Sequence, residues 1–274
     1  MGLRVNNNIG SINAQRNLAE TTNRLQNSLQ RLSSGLRITR ASDDAAGLAI
    51  SENFRAEVRG LTQATRNAND GISMLQVAEG ALNETSGLLV RMRELSIQAA
   101  NGTLGSTERS TINDEFQDLS SEITRIANVT TFNGISILNT TSSITFQVGS
   151  EGTTNDTISV SGVQATASAI GVASTVNVST ASGATTAVAT LDSAISTVAG
   201  LRASFGTVQN RLESTIRSLA VAIENTAAAE SQIRDVDFAS ETAELTRNQV
   251  LQQAGVSILA QANVSTQSAL ALLG

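Results

Sequence analysis

Apolar side chains recur along this chain at helical spacing, in five stripes interrupted by one segment of different rhythm. Leu18, Leu25, Leu29, Leu32 and Leu36 form the first stripe, with arginines beside it. Phe54, Leu61, Ala68, Leu75, Leu82 and Leu89 recur at sevens, and Val58, Ile72, Ala78 and Met92 fill the flanks. That repeat keeps one seam facing a partner, and it predicts a long helix over 42–100. Ile112, Phe116, Leu119, Ile123 and Ile126 predict a second over 106–128, and the series from Val188 through Leu191, Ile195 and Leu212 to Ile223 a third over 188–230. A final stripe of Leu251, Ile258, Ala262, Ala269 and Leu273 closes the chain with one arginine and two acids after Phe238, too little charge for a helix that stands alone in water.

The punctuation between the stripes is local chemistry. Ser42-Asp43-Asp44 offers an N-cap hydroxyl and two carboxylates to a helix start. Asn101-Gly102 is a stop, Ser106 or Thr107 caps the next start, and so short a connection folds the second helix back antiparallel on the first. Gly60, Gly71, Gly80 and Gly87 weaken the long helix and point to close approach of a neighbouring helix, or to a kink near Asn69-Asp70-Gly71. Between the second and third helices the period changes to two. Ile144, Phe146 and Val148 alternate with polar residues, as do Ile158 and Val160, and a Gly149 to Asp156 loop between them gives a β-hairpin. Val172, Val176 and Val178 suggest short extended pieces, and Ala181 to Thr186 reads as loop. With 21 Ser or Thr between 139 and 190, the β-rich segment 135–187 is either an ordered hairpin region or a flexible surface insert.

Composition narrows the chemistry. All 18 basic residues are arginine, and the chain has no lysine, histidine, cysteine, proline, tryptophan or tyrosine. Imidazole, thiolate and amine catalysis are therefore excluded, as is any zinc site, and no cofactor is expected. With aromatic residues at 2%, the core has to be built from Leu, Ile, Val and Ala along extended contacts. No apolar run approaches the roughly 20 residues of a membrane helix, and the N-terminus lacks the pattern of a cleavable secretory signal. Residues 1–40 carry six Arg against Glu20, whereas residues 41–237 carry 11 Arg against 21 acids. A basic start of this kind also fits a presequence or a nucleic-acid arm, but the leucine stripe through it favours the polar face of a packed helix.

These patterns predict a mainly α protein: an elongated helical bundle or coiled coil with paired N- and C-terminal helices and a small β-hairpin region. The terminal helices, 1–41 and 238–274, form one part, and 42–237 the other. The terminal stripes are too exposed to be fully covered within one molecule, so neighbouring copies are expected to cover them.

Leu32 to Ile50 (LSSGLRITRASDDAAGLAI) resembles the N-terminal signature of bacterial flagellins. RELSIQAANGT from Arg93, TFNGISIL from Thr131, IRDVDFASETAEL from Ile233 and VLQQAGVSILAQAN from Val250 match the same family in order and position. One departure is Val264 and the residues after it, where the family commonly has a proline. The resemblance implies a structural subunit, not an enzyme, that polymerises with itself into the filament used for swimming. The alternative within the same superfamily is the hook-filament junction protein. It further implies an inner tube of paired terminal helices, in which Leu18, Leu25, Leu32, Leu251, Ile258 and Leu273 pack, and a surrounding shell formed by 42–237.

The implied partners are further copies, the filament cap and hook-filament junction proteins, and an export chaperone on the C-terminal segment from about Glu241. Neither nucleic acid nor membrane insertion is expected. Export through the flagellar type III channel to an extracellular filament needs no cleavable signal. Flagellins detected by the innate Toll-like receptor use an Arg and a Leu on the long shell helix and a Glu on the next, and the matching positions are Arg91, Leu95 and Glu115. The same three residues lie where the family's subunits pack. The Ser/Thr-rich segment is a candidate for O-glycosylation.

Overall fold

A computed structural model describes residues 7–271, with side chains to Val264. Leu273 lies outside the described residues. The described chain forms five α-helices: α1 Ile9–Ser34, α2 Ala45–Ala100, α3 Ser106–Val129, α4 Ala181–Arg234 and α5 Phe238–Ala271. Two antiparallel hairpins separate α3 from α4: β1 Thr131–Phe132 with β2 Ile135–Ser136, and β3 Ile144–Gln147 with β4 Thr157–Val160. The fold is mainly α, as the stripes predict. The chain divides into two compact units, one of residues 1–57 with 225–274 and the other of 58–224.

In the first unit α1 and α5 pair antiparallel. Arg31 meets Glu241 at one end, Leu18 lies against Gly255, and Asn8 Nδ2 donates to the Ala262 carbonyl at 3.0 Å at the other. Small residues bring the two backbones close: a Cβ built on Gly255 would sit 3.3 Å from Leu18 Cδ1. Gly35 ends α1 with φ 72°, a left-handed cap that costs glycine nothing, and its N–H donates to the Arg31 carbonyl at 2.8 Å. The segments on either side of the joint then pair as an isolated bridge at Leu36 and Asp235, closed by Arg37 N to Arg234 O at 2.7 Å and Val236 N to Gly35 O at 3.0 Å.

Just beyond this joint α2 begins three residues later than Ser42 predicts. Asp43 turns back instead, its Oδ2 accepting from the backbone N–H groups of Thr39 and Arg40, and this draws its pKa below the ordinary carboxylate value. Asp44 is the residue that caps α2, its Oδ1 accepting from Gly47 N at 2.8 Å.

In the second unit α2 runs unbroken past Asn69-Asp70-Gly71, and α3 folds back on it after the Asn101-Gly102 stop. Arg109 ties the turn, donating to the carbonyls of Ala99 and Asn101. α4 returns along α2, with Arg93 bonded to Asp192, Arg202 beside Glu79, and Leu61 and Ala64 packed on Leu219. The core is built from the predicted stripes: Leu75, Leu82, Leu89, Phe116, Ile123, Leu191, Phe205 and Leu212 are all buried.

The glycines of α2 serve a different neighbour from the predicted one. Gly71 faces the ring of Phe146 and Gly60 faces Ser150, so it is the β3–β4 hairpin, not a helix, that lies against them. Asn67 Nδ2 fixes the hairpin by donating to the Gln147 carbonyl at 3.0 Å. Gly80 and Gly87 have nothing within 4 Å of a built Cβ.

The Ser/Thr-rich segment is ordered. Ile144 pairs with Val160 and Phe146 with Ile158, as the alternation predicts. The stretch after it turns at 167–171 and 174–175, and Val172, Val176 and Val178, suggested as short extended pieces, belong to no strand. Its carbonyls are taken up by α3, Gln117 donating to Val176 O and Ser120 to Val172 O, while Ile170, Val172 and Val178 enter the core. Ala181 to Thr186 is helix, not loop. Thr180 Oγ1 caps it by accepting from Gly183 N, Ala184 and Ala187 are buried, and Thr185 and Thr186 return their hydroxyls to carbonyls one turn back. α4 therefore begins seven residues earlier than its first large apolar residue, Val188.

Candidate assembly and recognition surfaces

Among the described residues no three His, Cys, Asp or Glu side chains gather as a metal site would require, and no helix is long and apolar enough to cross a membrane. The surfaces that stand out are apolar or built on arginine.

On α2 the Arg91 guanidinium bridges two carboxylates. Its Nη2 donates to Glu115 Oε1 of α3 at 2.9 Å and its Nη1 to Glu94 Oε2 at 3.2 Å. Those accepted protons, Glu115 first and Glu94 next, hold the Arg91 pKa above its ordinary value. The pair stays open to solvent, with side chains 50% and 47% exposed for Arg91 and Glu115. Leu95 is different. At 1% exposed it belongs to the core, one turn below Arg91, and presents no surface of its own. The structure thus brings Arg91 and Glu115 into direct contact and sets Leu95 beneath them. Val90 and Ile97 lie exposed on the same helix, a signal that leucine counting along the seam passes over because neither residue belongs to it.

On the terminal pair, Leu18, Leu25 and Leu32 of α1 are half-buried, and Leu18 lies against Gly255 of α5. The face α5 returns is not the large apolar stripe. It consists of Leu245, Asn248, Gln252, Gly255, Leu259 and Ala262, all buried or half-buried. Leu251 and Ile258 lie at its margin and remain 49% and 61% exposed. Val250, Val256 and Val264 are exposed on the other sides, and Ile9 and Ile12 are exposed on α1. Apolar side chains thus stand on nearly every side of α5, and the seam with α1 covers one side of it. The seam itself was hard to see in sequence because its members are small or polar, and only their spacing of three and four marks them.

The Glu213–Arg217 and Glu230–Arg234 spacings suggest i, i+4 ion pairs, but Arg234 reaches across to Glu52 Oε1 at 2.8 Å instead. That choice ties the end of α4 to the start of α2 within the first unit.

Comparison with known proteins gives a consistent result. The family model for the bacterial flagellin N-terminal helical region matches residues 5–143, and that for the bacterial flagellin C-terminal helical region matches residues 188–273. Among curated relatives, the flagellin of Halalkalibacterium halodurans is 45% identical over 98% of this chain and 99% of its own length. That of Bacillus subtilis is 41% identical over 99% and 100%, and a flagellar filament 33 kDa core protein of Treponema phagedenis is 45% identical over 98% and 99%. Among solved structures, Bacillus cereus flagellin aligns with a TM-score of 0.50 at 32% identity, covering 60% of this chain and 94% of that one. A putative flagellar hook-associated protein of Vibrio parahaemolyticus aligns with a TM-score of 0.59 at 14% identity, covering 70% and 100%, a likeness of fold alone.

Proposed function

The chain belongs to the bacterial flagellin family, and on that premise we propose how its parts serve the filament. It is a structural subunit of the flagellar filament, an extracellular component of the flagellum, and not an enzyme. The hook-filament junction alternative is not favoured, since both family models that match are flagellin regions.

In the proposed division, residues 1–41 and 238–274 are the inner tube and residues 42–237 the shell. The observation that supports it is the uncovered apolar surface of α5 and α1, with Leu251, Ile258, Val250, Val256, Ile9 and Ile12 exposed on a pair whose own seam is already filled by other residues. Burial of apolar area on association is worth about 25 cal/mol per Å², and a surface of this kind stays in water only until copies meet. Leu18, Leu25 and Leu32 hold the pair together, while Leu251 and Ile258, and Leu273 beyond the described residues, are its contacts to neighbours. The filament cap and the junction protein border the polymer at its ends, the segment from about Glu241 is the export chaperone's contact, and export proceeds through the type III channel. Electron microscopy of sheared cell-surface filaments, with mass spectrometry of the same sample, tests the role. This chain as the bulk protein is the expected result, and a few copies at the filament base would instead favour the junction reading.

The exposed Arg91–Glu115 pair supports recognition of the released subunit by the innate Toll-like receptor, with Leu95 setting the position of Arg91 from within. Purified monomer is expected to activate a receptor reporter cell, and Arg91→Ala to lose most of that response. No response, or a response indifferent to Arg91→Ala, would contradict it. O-glycosylation of the Ser/Thr-rich segment is read from intact mass against sequence mass.

A further inference from the structure

Two Asn-Gly pairs stand in this chain, Asn101-Gly102 in the turn between α2 and α3 and Asn133-Gly134 between β1 and β2. Both are exposed. At such a pair the glycine nitrogen can attack the asparagine side-chain amide, because no Cβ hinders the approach. It attacks as its anion, whose negative charge is shared with the asparagine's own main-chain carbonyl oxygen. What touches that oxygen therefore sets how readily the reaction starts.

At Asn101 the oxygen is held by two donors. Arg109 Nη2 donates to it at 2.9 Å and Leu104 N at 3.3 Å. The guanidinium hydrogen bond is charge-assisted and strengthens as the oxygen gains negative charge, so it stabilises the anion over the neutral peptide. Gly102 N donates to no acceptor among the described residues, and a Cβ built on Gly102 meets nothing within 4 Å. The nucleophile is thus free, with open space around it. Asn101 Oδ1 accepts from Thr103 N at 3.3 Å, which draws electrons from the amide carbon to be attacked. Asn133 lacks these donors. Among the described residues none reaches its carbonyl, and the pairing of Phe132 with Ile135 pins it at φ 49° with Gly134 at φ 79°.

We propose that the α2–α3 turn is a self-modifying site, at which Asn101 converts to aspartate and isoaspartate and Arg109 activates the attacking nitrogen. Gly102 N gives its proton to hydroxide and bonds to Asn101 Cγ. The Cγ–Nδ2 bond breaks, and the departing nitrogen takes a proton from water and leaves as ammonia, which restores the hydroxide and closes a cyclic imide. Water then adds to either imide carbonyl and opens the ring, so that side-chain amide plus water becomes carboxylate plus ammonium. Either product places a negative charge at the C-terminal end of α2, where the helix dipole opposes it and Arg109 offsets it. Isoaspartate also lengthens the main chain of the turn by a methylene. Because conversion needs no enzyme, its extent marks how long a subunit has stood in water.

Incubation of the full-length subunit at mildly alkaline pH, followed by peptide mass spectrometry that separates aspartate from isoaspartate, tests the proposal. Asn101 is expected to convert about tenfold faster than Asn133 in the same molecules. Arg109→Ala removes the charged donor, and Arg109→Gln leaves a neutral one. With circular dichroism confirming that α2 and α3 persist, conversion at Asn101 should slow about threefold or more in at least one of the two. Base-catalysed hydrogen exchange of the Gly102 amide passes through the same anion and should slow with it. An arginine that only ties the turn gives the opposite sign, faster conversion once the chain is freed. Conversion at Asn101 no faster than at Asn133, or undiminished in both variants, would overturn the proposal.

Discussion

Single residues carry opposite effects in similar surroundings, and the glycines of α2 show it most plainly. A Cβ on Gly71 would meet three ring atoms of Phe146 at 3.1 to 3.2 Å, whereas one on Gly80 meets nothing within 4 Å. Alanine at an exposed helix position gains about 0.5–1 kcal/mol over glycine, so Gly80→Ala is expected to stabilise the monomer by about that amount. Valine at position 71 forces the ring away and is expected to cost about 1–3 kcal/mol. Urea unfolding followed by circular dichroism measures both, and equal signs would contradict the account. Arg91 and Leu95 differ in the same way. Removing the exposed guanidinium costs little stability, because surface ion pairs are worth about 0–1 kcal/mol, whereas Leu95→Ala opens a core cavity at about 2–5 kcal/mol. A receptor defect in Leu95→Ala is therefore expected to appear together with a lowered unfolding midpoint, and in Arg91→Ala without one.

At the scale of elements, α2, α3 and the hydrophobic part of α4 were legible because Leu75, Phe116 and Phe205 stand at helical spacing and each is buried. The β3–β4 register was legible for the same reason at period two. The start of α4 was not, since its first turns hold Ser, Thr and Gly, residues that read as loop until Ala184 and Ala187 find a packing surface and the hydroxyls bond back along the helix. The paired face of α5 was hidden because Asn248, Gln252 and Gly255 carry no hydrophobic signal, while Leu251 and Ile258, which do, point elsewhere. The joint between α1 and α2 also escaped the pattern, since it depends on carboxylate geometry. Asp43 has its pKa lowered by the N–H groups of Thr39 and Arg40, and Asp156 by Thr153. A carboxyl whose folded pKa is depressed contributes stability above its unfolded value of about 3.9 and loses it as pH falls through the folded one. Amides of residues 39–44 and of the 149–156 turn are expected to exchange faster as pH is lowered below about 4, after correction for intrinsic rates. In Asp43→Asn the first of these responses should flatten. A response unchanged by that substitution would contradict the assigned cause.

For the whole molecule, the absent residue types and the exposed surfaces belong to one description. A chain without cysteine cannot cross-link, and one without proline has no slow isomerisation and no interruption of its long helices. Lacking lysine, it makes every side-chain cationic contact with arginine, whose planar fork suits carboxylates such as Glu115, Asp192 and Glu52. Among the described residues most of the exposed large apolar side chains stand on the terminal pair, where we place the repeated contact between copies. Seeded growth of purified subunit on filament fragments, with lengths measured by electron microscopy, tests this claim most directly when the full chain is compared with one lacking residues 255–274. The full chain should extend the seeds, while the truncated chain should add nothing and yet keep α2, α3 and most of α4 helical by circular dichroism. Filaments of normal length from the truncated chain would contradict the assignment of the terminal pair as the assembling element.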